Sequence, residues 1–362
     1  MSKRKPDYLI LSCVGALVVF GLVILASASA NLGQEKFSDS FYYLNHQLVH
    51  GFSVGLIGFF AGISIYYKRY QKFAFFLLLV SIGAVVLVFT PLGFKAGGAD
   101  RWVAIGPITF QPAEIVKLTF IIYLAAWLAR SSERYRNFKK GFLPFLALLA
   151  IVAAPLLKQP ATTTVIIIAA AALIVYFVSG ARFSYIFGAV VLGAAALGMI
   201  VYLTPYRLER ITNFLQPNSD PLAGGYHLNQ AQIAIGSGGL IGVGYGESTT
   251  KIAYLPEPIG DSIFAVIGEE LGFVGSVSLI AIFAVLVLKI FLLAKRTGDK
   301  FGKFLLVGFG SIIGVQVFIN IAAISGIIPL TGVPLPFISF GGTALAVFMT
   351  MGGVVVNISR YS

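Results

Sequence analysis

The stretch "LPEPIGDSIFAVIGEELGFVG" at residues 255–275 carries four acidic residues into an otherwise apolar segment. They are Glu257, Asp261, Glu269 and Glu270, in a chain that has only 14 Asp and Glu residues. The apolar segment continues to about residue 288, which is enough for a helix that crosses a bilayer. Ionisable side chains in such a helix are costly, and they usually line a cavity or pair with one another. The stretch therefore predicts a membrane protein with a polar site at the mouth of one helix.

The rest of the sequence has the same character. It is 58% apolar and 11% charged, with a mean hydropathy of +0.91, which excludes a soluble domain. We expect an all-α polytopic membrane protein whose single domain covers residues 1–362. Its ten predicted transmembrane helices are at about 8–30, 47–66, 73–92, 113–129, 142–157, 163–180, 183–204, 260–288, 304–324 and 338–358.

Two features of this pattern bear on processing and function. Residues 1–30 have a basic start and an apolar run that a cleaved signal peptide would share, but the run is long for one, which favours an uncleaved first helix. The loop at about 205–259, between helices seven and eight, is longer than a turn requires and rich in Gly and aromatic residues. Long loops in compact domains are usually functional or disordered, and the apolar stretches in this one predict an ordered, packed loop.

The basic excess predicts an orientation in the membrane. Of the 26 Lys and Arg residues, 18 lie in segments that face the cytoplasm if the N-terminus does, as the positive-inside rule requires. Both termini are then cytoplasmic and the large loop is extracytoplasmic. The net charge of +12 consequently indicates topology and affinity for anionic lipid, not nucleic-acid binding.

The single cysteine, Cys13, excludes an intramolecular disulfide, and three histidines without an HExxH motif disfavour a histidine-built zinc site.

Polar residues near the predicted helix ends form three candidate clusters. In "GGADRWVAIGPITFQPAEIVKL" (97–118), Glu114 and Lys117 lie three residues apart on one helix face; they could serve a site or simply be a buried ion pair. Arg101 in the same stretch could bind an anion or anchor the chain at the interface. In "KQPATTTVI" (158–166), Lys158 is a candidate for holding an anionic group, whereas the threonines could merely cap a helix.

The third cluster is the stretch quoted first. Asp261 could cap its helix, because acids are favoured at helix N-termini, or it could do chemistry. Glu269 and Glu270 lie too far along the helix to be caps and are expected to pair with polar groups inside the bundle. Nearer the C-terminus, "GIIPLTGVPLPFISFGG" (326–342) predicts irregular backbone that shapes a cavity, with Pro334 and Pro336 among its residues.

Four long motifs, in order and spacing, resemble those of the SEDS family of peptidoglycan polymerases, which includes the FtsW, RodA and SpoVE branches. They are "GADRWVAIGPITFQPAEIVKL", "GYHLNQAQIAIGSGGLIGVGYGES", "LPEPIGDSIFAVIGEELG" and "GIIPLTGVPLPFISFGG". The segments "GVGYGEST-TKIAYLPEP" and "GVPLPFISFGG" favour the FtsW branch. The resemblance covers essentially the whole chain.

The resemblance implies ten transmembrane helices and a glycosyltransferase that polymerises lipid II at the outer leaflet. It matches Asp261 to the family's essential aspartate, Glu114 and Lys117 to its polar pair, and Arg101 to its loop arginine. Two departures stand out. Ala161 replaces an acid that the family usually has after helix five, and Ile259-Gly260 replaces a His-Thr that often precedes the aspartate. The second departure argues against an indispensable histidine at this step.

The implied reaction is an inverting transfer that forms a β-1,4 bond and releases undecaprenyl diphosphate. Such a transfer needs a base and positive charge for the leaving group. We expect Asp261 to be the base, and Arg101, Lys117, Lys158, Arg207 and Arg210 to be the candidate cations. A divalent cation, Mg or Mn, could bridge the phosphates to Asp261 or Glu114; no organic cofactor is expected.

The expected partners are lipid II, membrane lipid, a class B penicillin-binding transpeptidase and division proteins, with no nucleic acid. The expected location is the bacterial plasma membrane, with the active site on the extracytoplasmic side. Two alternatives from other classes fit a polar cavity in a helical bundle: a transporter that moves lipid II between leaflets, and a non-catalytic scaffold of the division machinery. The large outer loop favours the enzyme over the transporter, and the scaffold leaves Glu114, Lys117 and Asp261 unexplained.

Overall fold

Each apolar segment predicted to cross the membrane contains a helix. The computed structural model describes residues 4–96, 99–106, 108–131, 134–215 and 225–362. Its α-helices are α1 (Tyr8–Phe37), α2 (Tyr42–His46), α3 (Ser53–Ser64), α4 (Lys68–Leu87), α5 (Pro112–Ala129), α6 (Leu143–Lys158), α7 (Thr162–Val178), α8 (Phe183–Tyr202), α9 (Pro205–Leu215), α10 (Tyr226–Ser237), α11 (Thr250–Ala253), α12 (Ile263–Arg296), α13 (Lys300–Ile324) and α14 (Gly342–Ser359).

Within these described ranges, nine helical segments are long and apolar enough to span a bilayer, and α7 is a shorter apolar helix. One of the nine combines α2 and α3, because the π-helical turn Gln47–Phe52 joins them into one span. A second π-helical turn, Phe138–Phe142, leads into α6, and Arg134–Arg136 form a 3₁₀ turn. The all-α polytopic architecture predicted from hydropathy is confirmed.

The helices are arranged around a buried centre. α5, α13 and α14 have most of their residues buried, whereas α8 is exposed along nearly its whole length. α1 packs against α12 and α14, so the predicted first span is part of the bundle. The most extensive helix pairing in the described chain joins α3 to α14, where Gly62 faces the backbone of Gly353 and Val354. Small residues allow such approach between membrane helices.

The two ends of the bundle differ in chemistry. At one end, Lys68 pairs with Asp299 at 3.3 Å and Lys289 with Asp7 at 3.7 Å, while the Arg4 guanidinium donates to the Ser362 carbonyl at 2.8 Å. These contacts hold the first and the last described residues of the chain at the same end of the bundle. We call this end, which carries the basic segments, the basic end. The opposite end, called the site end, carries the connections α4–α5, α8–α12 and α13–α14.

The site end holds the structural features that hydropathy missed. Residues predicted as a plain loop after α4 form an antiparallel sheet of β1 (Gly93–Ala96), β2 (Ala99–Ile105) and β3 (Ile108–Phe110), in that order. The strands are too short to register in a search for spans of about 20 residues. Gly106 has φ +61° in the β2–β3 turn, a conformation that glycine adopts without strain.

The eighth predicted span also differs from the observed helix. The helix begins at Ile263, not at residue 260, and continues to Arg296, beyond the predicted end at 288. It is kinked at Gly272, which has φ +65°. The kink is bridged by the preceding loop: the N–H of Val243 donates to the Glu269 carbonyl, and that of Phe273 to the Gly239 carbonyl. Backbone groups freed by the kink are thereby satisfied, as a membrane setting demands.

The large loop contains α9, α10 and α11, and α10 packs against α12 with Ala231 and Ala234 buried. The prediction of an ordered, packed loop is therefore confirmed for its described part. Residues 216–224 of that loop lie outside the described residues, as do Gly97, Gly98 and Pro107 of the first motif, Lys3 and Glu133.

The α3–α14 contact generates a stability prediction. In Gly62→Ala the new Cβ would lie 2.8 Å from the Val354 nitrogen and 2.9 Å from the Gly353 carbonyl carbon, closer than backbone atoms allow. Overpacking of this kind costs about 1–3 kcal/mol. We expect a lower melting temperature in detergent.

The matched control is Gly83→Ala on α4, where no described atom apart from the chain neighbours and the nearby backbone of α4 itself lies within 4 Å of the added Cβ. It should melt at or above the wild-type temperature. Equal melting temperatures for the two variants would contradict the close packing of α3 on α14.

Candidate active site

The site end of α13 positions the segment that contains Asp261. The side-chain amide of Asn320 donates to the Asp261 carbonyl at 2.9 Å and to the Val333 carbonyl at 2.8 Å. Ser339 donates its hydroxyl to the Gly260 carbonyl at 2.7 Å. The two irregular segments before α12 and α14 are thus bonded to each other and to α13, so the backbone that carries Asp261 is fixed from several sides.

The Asp261 carboxylate lies at the wall of a cavity of about 300 Å³. Its Oδ1 is buried and, among the described residues, has no hydrogen-bond partner. Burial, followed by the negative charge of Glu257, raises the pKa of Asp261 to about 6, while backbone N–H groups and Arg210 limit the rise. Helix capping does not account for Asp261, because the N-cap of α12 is Ser262. A carboxylate that has an oxygen without a hydrogen-bond partner and a pKa near neutrality is suited to accept a proton.

A second cavity, of about 270 Å³, adjoins the first. The two share Tyr206, Arg210, Leu330 and Gly332 as wall residues. The second cavity is also lined by basic and polar side chains and loop residues, among them Arg101, Arg207, Glu114, Thr162, Thr163, Thr164 and Pro334. The first cavity therefore has Asp261 in its wall and the second has Arg101 and Arg207, with Arg210 between them.

Backbone carbonyls hold the three guanidinium groups. Arg101 donates to the carbonyls of Gln159 at 3.3 Å and Pro160 at 2.8 Å. Arg207 donates to the Leu157 carbonyl at 3.3 Å, and Arg210 to that of Leu330 at 3.4 Å. None of the ion pairs found within the described ranges involves these arginines. Within the part of the chain that the structure describes, no carboxylate is thus paired with these guanidinium groups.

Ala161, at the position where the family resemblance implies an acid, lines the same cavity. Because an alanine cannot neutralise Arg101, the replacement leaves the cavity more positive than an acid would.

Glu114 and Lys117 do form the ion pair that their spacing predicts, with 2.7 Å between Nζ and Oε2. Lys117 is fully buried, donates to Gln316 Oε1 at 2.6 Å and lies over the Phe348 ring at 5.2 Å. Glu114 lines the second cavity, but Lys117 lines neither cavity. The structure thus places Lys117 behind Glu114, where it holds the carboxylate and Gln316 in place.

Two other predicted residues lie away from the cavities. Lys158 is exposed at the end of α6, with its ammonium 4.8 Å from the centre of the Phe89 ring. Pro336 is buried, whereas Pro334 lines the second cavity and its carbonyl accepts from Gln316 at 2.8 Å. Lys158 and Pro336 line neither cavity.

The two deeper acids of α12 hold the large loop. Glu269 accepts from the backbone N–H of Thr249 at 3.0 Å and from the hydroxyls of Ser248 and Thr250. Glu270 is paired with Lys251 and accepts from the Ser27 hydroxyl at 2.6 Å. Both carboxylates are buried. They tie α11 and the two residues before it to α12 and α1, and they do not reach Asp261's cavity.

His227 is a site residue that the sequence argument missed. It lies on α10, lines the cavity with Asp261, and places Nε2 2.6 Å from the Ser262 hydroxyl oxygen. The absence of a histidine just before Asp261 suggested that no imidazole would be needed there. The structure brings one in from another helix. Its place in "GYHLNQAQIAIGSGGLIGVGYGES", the second of the four motifs, is the only sequence signal, and nothing in the spacing links it to Asp261.

The described residues offer carboxylate ligands for a divalent cation but not a complete set of protein ligands. Among the described residues, no group of three or more His, Cys, Asp and Glu side chains could hold a metal ion. Mg²⁺ is commonly held by one or two carboxylates together with substrate phosphates and water. The unmet Oδ1 of Asp261 and the nearby carboxylate of Glu209, which lines the same cavity, fit that arrangement.

Comparison with known proteins gives matches over nearly the whole chain. A family model described as "Cell cycle protein" and named for FtsW, RodA and SpoVE matches residues 7–362. Stage V sporulation protein E of Bacillus subtilis (strain 168) is 36% identical over 361 residues, which cover 99% of this chain and 98% of that protein. A probable peptidoglycan glycosyltransferase FtsW of Trichlorobacter lovleyi is 37% identical over 366 residues, which cover 98% of this chain and 95% of that protein. Because the identities to the sporulation protein and to FtsW are so similar, they do not assign this chain to either of these two branches.

Two solved structures share the fold. One comes from work on the structural coordination of polymerization and crosslinking by a peptidoglycan synthase complex; it matches with a TM-score of 0.81, 28% identity and 98% coverage of both chains. The rod shape determining protein RodA of Thermus thermophilus matches with a TM-score of 0.72 and 26% identity, over 99% of this chain and 98% of that one.

The buried Glu114–Lys117 pair generates a prediction. Lys117→Met leaves the Glu114 carboxylate buried without its cation, which typically costs about 3–5 kcal/mol. We expect a large fall in the melting temperature in detergent. The double variant Glu114→Gln/Lys117→Met removes both charges and should recover most of it.

Lys158→Met is the matched control, because the same substitution at an exposed lysine should leave the melting temperature unchanged. A Lys117→Met protein as stable as the wild type would contradict the role assigned to the pair.

Proposed function

Because this chain belongs to the FtsW/RodA/SpoVE family of cell cycle proteins, we propose that it is a peptidoglycan glycosyltransferase that polymerises lipid II. The observation that carries the proposal is the pair of adjoining cavities, with Asp261 in one and Arg101 and Arg207 in the other. A base and a cluster of cations are what a transfer from a sugar diphosphate needs. The relatives named as probable peptidoglycan glycosyltransferases support the same activity.

Asp261 is proposed as the general base. Its carboxylate accepts the proton of the acceptor sugar's 4-hydroxyl as the oxygen attacks the anomeric carbon of the donor. The bond from that carbon to the diphosphate oxygen breaks on the opposite face, and the diphosphate leaves with the bonding electrons. In-line displacement converts an α-linked donor into a β-1,4 product. General bases of this kind contribute about 10²–10⁴-fold to rate.

The arginines are proposed to stabilise the departing diphosphate. Guanidinium groups form paired hydrogen bonds with phosphate oxygens and stay charged at all relevant pH values. Arg210 is placed to act on both reactants, since it lines both cavities, while Arg207 lines the second. Lys117 contributes indirectly by fixing Glu114. Lys158 would need to leave the Phe89 ring to reach the diphosphate.

A divalent cation is proposed as an additional ligand of the diphosphate. It would be held by Asp261 or Glu209 on one side and phosphate oxygens on the other; Glu114 offers a third carboxylate in the adjoining cavity. When bound, such an ion supplies positive charge to the leaving group. Arg210, which lines both cavities, supplies charge of the same sign beside these carboxylates.

We propose that the site end faces the outside of the cell. The basic end carries Lys68, Lys289 and Arg4, and segments rich in Lys and Arg remain in the cytoplasm. The opposite end, with Asp261 and the large loop, is then extracytoplasmic. A class B penicillin-binding transpeptidase is the proposed partner, supported by the related synthase complex that combines polymerization and crosslinking.

The first prediction from this proposal concerns the base. Asp261→Asn keeps the shape of the side chain but cannot take up the proton. We expect lipid II polymerisation by the purified protein, with its transpeptidase partner, to fall by about 10²–10⁴-fold, measured as glycan chains resolved by gel.

The control is Glu247→Gln, which changes an exposed carboxylate of the same loop and should leave polymerisation intact. Full-length glycan made by Asp261→Asn would overturn the assignment. Wild-type protein that only redistributes lipid II between leaflets, or does neither, would overturn the proposed function itself.

The second prediction concerns pH. A base works only when deprotonated, so activity should fall as the pH drops below about 6, the raised pKa of Asp261. Glu257→Gln removes a negative charge that helps to raise this pKa. The acid limb of the pH–rate profile should therefore move to lower pH, while the rate at neutral pH changes little.

Glu247→Gln again serves as the control, with an acid limb at the wild-type position. An acid limb that stays in place in Glu257→Gln would count against Asp261 as the titrating base.

A further inference from the structure

His227 shares the Asp261 cavity without a part in the mechanism so far. It enters from α10, whereas Asp261 lies before α12 and Arg210 lies on α9. Within the described part of the chain, Ser262 is the residue that hydrogen-bonds its imidazole, through Nε2 at 2.6 Å. The ring is thus anchored at one nitrogen and borders the cavity.

The hydroxyl of Ser262 decides which nitrogen carries the proton. Its oxygen lies 2.8 Å from the Pro256 carbonyl oxygen, which can only accept a hydrogen bond. The single hydroxyl hydrogen is therefore directed to Pro256, and the hydroxyl oxygen must accept from His227. Nε2 then carries the hydrogen, and in the neutral ring Nδ1 is left with a free lone pair.

The surroundings keep the imidazole neutral. Burial lowers the pKa of His227, and the positive charge of Arg210 lowers it further. The other charged side chains facing the cavity are Glu209 from α9 and Asp261. A neutral ring with Nε2–H donated to Ser262 offers a hydrogen-bond acceptor, not a donor, to a molecule in the cavity.

We propose that His227 contacts the acceptor sugar directly, with Nδ1 accepting a hydrogen bond from an O–H or N–H group next to the hydroxyl that Asp261 deprotonates. The inference rests on the proposed function, since it assumes that an amino sugar occupies this cavity. Two acceptors from different helices, Nδ1 and the carboxylate, would then orient one sugar ring. Orientation of this kind is a large part of catalytic rate.

The alternative is that His227 only braces Ser262 at the start of α12. Two amide substitutions separate these roles, because each replaces one ring nitrogen. In His227→Asn the side-chain oxygen occupies the place of Nδ1 and the contact with Ser262 is lost. In His227→Gln the side-chain amide nitrogen reaches the place of Nε2, so the contact with Ser262 is kept and the Nδ1 acceptor is lost.

The experiment is steady-state lipid II polymerisation by each full-length variant with its transpeptidase partner, together with its melting temperature. We expect His227→Asn to keep kcat/KM within a few-fold of wild type. We expect His227→Gln to lose about 10- to 100-fold, as for a buried hydrogen bond left unmade, at an unchanged melting temperature. Ser262→Ala, which leaves the imidazole in place, should lose less than His227→Gln.

Three outcomes would overturn the proposal. These are a His227→Gln protein at least as active as His227→Asn, equal losses in both, and a Ser262→Ala protein as impaired as His227→Gln. Failure of the proposed function would give a different result. The wild-type protein itself would then form no glycan polymer, so there would be no activity against which to compare the variants.

Discussion

The side-chain amide of Asn320 is the contact on which the site depends. From one nitrogen it donates to the carbonyls of Asp261 and Val333, which belong to the irregular segments before α12 and α14. Irregular backbone at a membrane helix end is tolerated only when its polar groups are satisfied inside the protein. Asn320, Gln316 and Ser339 meet that demand, so the same bonds that make these segments permissible also fix the wall that carries Asp261.

Acidic residues are scarce in this chain, and the structure divides them by role. Glu269 accepts from hydroxyls and a backbone N–H, and Glu270 pairs with Lys251 through Oε1. Both carboxylates are therefore ties between the large loop and the bundle. Asp261 differs because it borders a cavity and forms none of the ion pairs found among the described residues. Its Oδ1 is buried without a hydrogen-bond partner in that part of the chain, as is Glu270 Oε2. A buried polar atom without a hydrogen-bond partner is costly. For Asp261 Oδ1, the hydroxyl of a substrate in the cavity would be that partner. The distinction rests on the cavity that Asp261 borders and that Glu269 and Glu270 do not reach.

Much of the fold followed from the sequence because the bilayer imposes a length and an apolar composition on each span. The Glu114–Lys117 pair was predictable for a similar reason, since residues three apart on a helix are neighbours. The sheet after α4 was missed because short strands carry no hydropathy signal of that length. His227 beside Asp261, and Lys117 turned away from the cavity, depend on how distant helices pack. No local pattern encodes such contacts, and the resemblance of motifs alone placed Lys117 with the anion-binding residues.

The central claim is that Asp261 and the arginines act on one substrate from adjoining cavities. The most direct measurement is an experimental structure of Asp261→Asn with lipid II in a lipid environment. The account predicts the diphosphate against Arg207 and Arg210, with a sugar hydroxyl within hydrogen-bond distance of residue 261. A diphosphate bound elsewhere, for example against the exposed ammonium of Lys158 with the two cavities empty, would contradict it.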